Sequence, residues 1–277
     1  AMLGPVRSLQ ATGGLPVNVR ILFEGEEEIG SPNLRAFIQA HPDLVKADLC
    51  LNPDTGMLGR MAPTVSYSLR GLAYFELWLT GPATDLHSGI YGGVVHNPAH
   101  VLAELVAGMH DSAGRVTLPG FYDAVRPLSD HERKELARLP LDEQHYLRQS
   151  GAPALFGEEG YTPAERAGAR PTLEINGLYS GFIGEGAKTV LPARAMAKIS
   201  MRLVSDQDHQ AIKGQLEAYI QEHLPDTVRY ELKTISTAPP FISNLDSPGN
   251  RALAEALETA WGVKAQFRRE GGSVPVA

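Results

Sequence analysis

Apolar and polar positions along the chain change period several times, and each change predicts a different element. Met2, Leu3, Val6 and Leu9 are apolar at helical spacing and Thr12-Gly13-Gly14 ends the run, so a helix is predicted over residues 1–11. Residues 17–23 form a β-rich apolar run, read as a strand, which breaks into Glu24-Gly25-Glu26-Glu27-Glu28. A helix is predicted from 32 to about 40, with Ser31 as its N-cap and Pro32 in first position. Residues 47–51 read as a second strand, turned by Asn52-Pro53-Asp54-Thr55-Gly56. Strand, helix and strand with short links predict a parallel unit with a right-handed crossover. That topology would bring Glu26, Glu27, Glu28 and Asp54 to one sheet edge, the place where open α/β sheets build their sites.

From about residue 64 the period shortens to two. Residues 65–69 and 73–80 look like an antiparallel strand pair, with Tyr74, Glu76 and Trp78 alternating against Phe75, Leu77 and Leu79. A loop, Gly81-Pro82-Ala83-Thr84-Asp85-Leu86-His87-Ser88-Gly89-Ile90-Tyr91-Gly92-Gly93, follows, and Asn97-Pro98 opens a helix to about 111. Residues 114–170 are rich in Pro, Gly and charge, with short helices near 129–138 and 141–149. Strands are predicted at 172–178, 195–204 and 228–235, and a helix at 206–223. Pro239-Pro240 reads as an exit hinge, after which a helix (250–261) and the run 265–267 return to the first domain. The expected architecture is a mostly parallel α/β domain, 1–64 with 241–277, carrying an inserted α+β domain, 65–240.

Composition narrows the function classes. At 277 residues the chain has material for about two domains. A net charge of −7, with no basic patch against it, argues against a nucleic-acid partner. No apolar run approaches the roughly 20 residues of a membrane span. Cys50, the single cysteine, leaves no pair for a disulfide within these residues and is expected as a small buried hydrophobe. Ala1-Met2-Leu3-Gly4 reads as mid-helix and Gly272-Ser273-Val274-Pro275-Val276-Ala277 closes no element, so the chain is expected to belong to a longer protein. No leader is visible, and the expected location is the cytoplasm.

The chemistry concentrates in few places. Two adjacent carboxylates after a strand can divide labour, one holding a metal and the other accepting a proton from water; Asp54 would be a further ligand. His96, His100 and Glu104 stand four apart, but Asn97-Pro98 starts a helix between the histidines and breaks that face. His41, His110, His131, His145, His209 and His223 are expected at the surface, whereas His87 lies in a glycine-flanked loop that could approach a ligand. The glycine-rich segment 181–186 does not run from strand to helix as a dinucleotide site does. Arg202, alternating with apolar neighbours, suits either an edge ion pair or a bidentate carboxylate anchor.

Glu24-Gly25-Glu26-Glu27-Glu28-Ile29-Gly30-Ser31, the Asp85 to Gly93 loop, Ala187-Lys188-Thr189-Val190-Leu191-Pro192 and Arg202-Leu203-Val204 occur in one order that resembles the carnosinase-type dinuclear zinc dipeptidases. These lie within the wider aminoacylase and carboxypeptidase superfamily, and the insert at 114–170 is similar to the cytosolic branch. The resemblance implies two zinc ions (manganese or cobalt being possible), with Glu27 as general base, Glu28 on one metal and Asp54 on the other. It implies a homodimer formed through the inserted lid domain, in which His87 and Thr189 of the partner subunit and Arg202 of the same subunit meet a dipeptide. His87 would steady the oxyanion, Thr189 and Arg202 would hold the terminal carboxylate, and Gly271, Gly272 and Ser273 would line the pocket. The family's other ligands, a histidine and a bridging aspartate upstream and a histidine downstream, lie outside this chain; these residues alone are expected to bind zinc poorly and to hydrolyse nothing. Alternatives are an N-acyl-amino-acid deacylase or carboxypeptidase of the same superfamily, and a non-catalytic dimerising module.

Overall fold

The computed structural model describes residues 3–273; the expectations for residues 1–2 and 274–277 lie outside them. Two compact units are formed, one by the described residues up to Met57 and the other by Leu58–Ser273.

The first unit is helical where it is regular: α1 (Leu3–Thr12), α2 (Leu34–Ala40) and α3 (Pro42–Val45), with a 3₁₀ turn at Glu27–Ile29. The strands predicted at 17–23 and 47–51 are not formed: among the described residues neither run has a neighbouring strand to pair with. Their apolar side chains face outward: Val17, Phe23 and Leu49 are all at least 64% exposed. The expected parallel unit is therefore absent among the described residues, and Cys50 is exposed, not buried. Ser31 does not cap α2: its φ is +49°, and the helix begins two residues later than predicted, after Asn33.

The second unit holds the core. Its strands are β1 (Thr64–Leu69), β2 (Gly71–Thr80), β3 (Leu86–His87), β4 (Thr172–Ser180), β5 (Val190–Leu191), β6 (Arg194–Leu203), β7 (Arg229–Ala238), β8 (Phe241–Ile242) and β9 (Gln266–Glu270). Its helices are α4 (Ser88–Tyr91), α5 (Pro98–Gly108), α6 (Asp130–Leu136), α7 (Glu143–Ser150), α8 (Pro163–Ala169), α9 (Ile212–His223) and α10 (Pro248–Trp261). A four-stranded antiparallel sheet has the order β4-β6-β2-β7. Alternation on the two inner strands buries Phe75, Leu77 and Leu79 of β2 with Ala197, Ile199 and Met201 of β6. α5 and α9 cover that face through Val101, Leu102, Leu105, Leu216 and Ile220, and the Tyr219 hydroxyl donates to the Leu105 carbonyl at 2.9 Å.

β1 and β2 are strands as expected, but they do not pair with each other. A single residue, Arg70, joins them, too short a link for a hairpin, so the chain passes from one sheet into another. β1 pairs instead with β8 (antiparallel) and β9 (parallel), and Val65 packs with Ala254 of α10 and with Ala265. Beneath that sheet the Arg269 guanidinium, 1% exposed, bonds both Tyr67 and Glu132. Helices α5 and α9 are shorter than predicted, and α8 was not predicted. No helix among the described residues is long and apolar enough to cross a membrane.

Candidate functional site

The structure brings the sequence-selected residues together in three groups. In the first unit, the 3₁₀ turn carries Glu27 and Glu28, while Glu26 is tied back to Asn33 through its carboxylate. Glu27 is half-buried, and its carboxyl is pushed above its ordinary range by withdrawal from water first, then by Glu28, Asp54 and Glu24. These acids therefore share one neighbourhood although no sheet edge gathers them. Glu28 and Asp54 are exposed. Among the described residues no group of three or more His, Cys, Asp or Glu side chains is close enough to hold a metal ion. The donors present are carboxylates only, so by themselves they do not fit a zinc centre, which normally includes imidazole.

The second group is the histidine loop. β3 pairs with β5, setting His87 opposite Val190, and Ser88 N–H donates to the Thr189 carbonyl at 2.9 Å. Asp85 anchors the loop by accepting from Ala193 N–H at 2.8 Å. His87 is the N-cap of α4: its Nδ1 accepts from Gly89 N–H at 3.0 Å, and its Nε2 lies 3.2 Å from Thr189 Oγ1. Both side chains are solvent-exposed. His96 stays outside α5, which Asn97 caps, and bonds Thr227 at 2.8 Å.

The third group surrounds Arg202, on an inner strand and thus not in an edge ion pair. Its Nη1 donates to Ser273 Oγ at 2.9 Å, and the Ser273 hydroxyl donates to the Arg70 carbonyl at 2.7 Å. Arg70, which sequence reasoning missed, binds this turn from three directions. Its Nε donates to the Gly271 carbonyl at 3.1 Å, and its amide donates to the carbonyls of Glu270 and Gly272. Burial, and then the charge of Arg202, lowers the Arg70 pKa to about 10. Both guanidiniums line a cavity of about 510 Å³ with Ser200, Asn176, Glu174 and Tyr146. The available signal was an arginine in the short Arg70-Gly71-Leu72 link between two strand-like runs.

The second and third groups lie at opposite ends of one sheet. On β6, Arg194 pairs with Thr80 at the end that leads into the histidine loop, and Arg202 pairs with Leu72 at the other. Eight residues of strand separate those ends by roughly 25 Å, whereas a dipeptide spans roughly 7 Å. Within one copy these strand ends stand farther apart than a dipeptide is long.

Comparison with known proteins agrees with this architecture. A family model described as the peptidase dimerisation domain, of the M20 group, matches residues 67–228. The Cys-Gly metallodipeptidase DUG1 of Candida albicans is 31% identical over 267 residues, covering 95% of this chain and 55% of that protein. The human beta-Ala-His dipeptidase is 28% identical, covering 95% and 53%. The chain thus spans about half the length of the curated relatives it matches. Among solved structures, the M20 family metallo-carboxypeptidase Sso-CP2 of Sulfolobus solfataricus superposes with a TM-score of 0.80 at 31% identity, covering 91% of this chain and 57% of that one. Human carnosine dipeptidase 1 gives 0.76 at 28% identity, covering 99% and 60%. A mixed α/β chain built on this antiparallel sheet, and matched by that model over more than half its length, belongs to the M20 peptidase family.

Proposed function

We propose that the enzyme of which this chain forms part hydrolyses the peptide bond of dipeptides and works as a dimer. The observation that carries this reading is the separation of the His87–Thr189 pair from the Arg202–Ser273–Arg70 cluster. His87 and Thr189 suit the scissile carbonyl and the terminal carboxylate, and Arg202 suits that same carboxylate, so a second copy is needed to bring the two groups to one substrate. The relatives' names point the same way: Cys-Gly and beta-Ala-His are both dipeptides.

In the reaction, Glu27 accepts the proton of the attacking water and returns it to the leaving amine. Withdrawal from water, and then the acids around it, raise its affinity for protons, the direction a general base needs. The Nε2–H of His87, from one copy, donates to the oxygen that becomes negative as the carbonyl is attacked. Arg202 of the other copy, steadied by Ser273 in the turn that Arg70 holds, takes the terminal carboxylate together with Thr189 of the first copy, and Gly271, Gly272 and Ser273 line the pocket. The reading includes metal ions, zinc in preference to manganese or cobalt. Glu28 and Asp54 would be two of their donors, and imidazole ligands would come from beyond the groups gathered here. Residues 65–240 act as lid and dimerisation domain, and 1–64 with 241–277 belong to the catalytic domain.

Glu27→Gln in the intact enzyme tests the assignment. Turnover of dipeptides should fall by about 10³-fold with metal content unchanged. Loss of metal along with activity would show that Glu27 is a ligand and not the base. Assays with N-acetyl amino acids test the substrate class: a preference for them over dipeptides would make the enzyme a deacylase.

A further inference from the structure

We infer that Gly89 is a positioning residue that fixes His87 as the neutral Nε2–H tautomer and sets the plane of its ring. A backbone amide always carries its hydrogen. When Gly89 N–H donates to His87 Nδ1 at 3.0 Å, that nitrogen must offer a lone pair, and in the neutral ring the proton then resides on Nε2. The backbone at His87, with φ −76° and ψ 115°, turns the side chain back over the first turn of α4.

The ring lies so close to Gly89 that no other residue fits beneath it. A Cβ at this position would stand 2.8 Å from His87 Cε1 and 3.0 Å from Nδ1. Any side chain here must push the imidazole away and lengthen or break the bond that selects the tautomer. The requirement comes from side-chain contact: Gly89 is not among the glycines with positive φ.

The other side of the ring completes the arrangement. With Nε2 as donor, the 3.2 Å contact to Thr189 Oγ1 makes that hydroxyl an acceptor, and leaves its hydrogen free to point at an incoming carboxylate. Ser88 N–H on the Thr189 carbonyl and the β3–β5 register hold the two residues together. The unit thus holds one Nε2 hydrogen that rests on the Thr189 hydroxyl and passes to the developing oxyanion when substrate is bound, beside the hydrogen of Thr189 itself. This rests on the reading that His87 faces the developing oxyanion, but the tautomer itself can be measured without it.

The test is ¹H–¹⁵N long-range correlation on the chain labelled at its histidine rings, at about pH 8 where ordinary histidine is neutral, with His87→Gln to assign the resonance. Wild type should show one ring with Nδ1 unprotonated and Nε2 protonated. Gly89→Ala should shift that ring toward averaged tautomers while the other rings stay in place. In the intact enzyme the same variant should lower kcat on the order of tenfold with KM nearly unchanged, short of the ~10²-fold loss from removing the donor altogether. A protonated Nδ1 or a tautomer mixture in wild type overturns the inference, as does an unchanged His87 signal in Gly89→Ala. Should that variant not fold, the wild-type spectrum alone decides. If the tautomer is as stated but His87→Gln leaves kcat intact, the oxyanion reading fails and the positioning inference stands.

Discussion

The acidic turn and the histidine loop carry the two halves of the proposed chemistry and are built in opposite ways. Glu27 and Glu28 sit on a single 3₁₀ turn in a unit whose runs 17–23 and 47–51 have no strand partner among the described residues and leave apolar side chains in water. His87 is also exposed, yet it is held by a strand pairing, a cap bond, a bond to Thr189 and a four-stranded sheet with a closed core. Exposure alone therefore does not tell whether a functional residue is fixed. What matters is whether the backbone beneath it has its hydrogen bonds made.

Hydrogen exchange should show the largest difference. Amides of β2 and β6 should be protected by a factor on the order of 10⁴ or more, reflecting global opening, and those of 17–23 and 47–51 hardly at all. Equal protection would mean that the two runs do find strand partners in solution. Truncating one leucine in each region sharpens the same point. Leu77→Ala, in a side chain with no exposure, should cost about 3 kcal/mol in denaturant unfolding of the Leu58–Ser273 unit, whereas Leu49→Ala, 64% exposed, should stay within about 0.5 kcal/mol.

A smaller, pH-dependent effect tests how the second sheet is tied down. Burial works to raise the Glu132 carboxyl, but hydrogen bonds from Arg269 and Ser129 outweigh it and hold it below its usual range. A lowered carboxylate pKa adds stability that is complete above the unfolded value, about 4.3, and that disappears as pH falls through the lower folded value. Glu132→Gln should thus destabilise by about 2 kcal/mol near neutrality, with the gap to wild type closing in acid. A gap that persists in acid would assign the loss to packing and not to charge.

These contrasts also mark how far the sequence could be read. Period-two alternation named β2 and β6 correctly because both strands bury one face, so the pattern and the environment agree. The β-rich apolar runs at 17–23 and 47–51 misled, since such a run reports a propensity to pair and cannot report whether a neighbour exists. The β1–β2 pairing failed on connection length: the predicted runs left Arg70-Gly71-Leu72 between them, enough for a hairpin, whereas β2 begins at Gly71 and leaves Arg70 alone. α8 had a legible start that went unread: Thr162-Pro163-Ala164-Glu165 is a capping box with both reciprocal bonds made. Glu27, Glu28, Asp54, His87, Thr189, Arg202 and Ser273 were legible as motifs, and Arg202 with Ser273 and His87 with Thr189 do meet in the fold. The place of Gly89 under the ring was not legible, because it depends on a contact of 2.8 Å that no spacing encodes.

The central claim is that the substrate site needs two copies, His87 from one and Arg202 from the other, and mixing two inactive variants of the intact enzyme tests it directly. His87→Ala and Arg202→Ala should each be nearly inactive alone. After subunit exchange, half of the dimers are mixed and each mixed dimer regains one of its two sites, so about a quarter of wild-type activity should return. If mixed dimers form, as native mass spectrometry can establish, and activity stays at the level of the single variants, both residues act within one copy and the account is wrong.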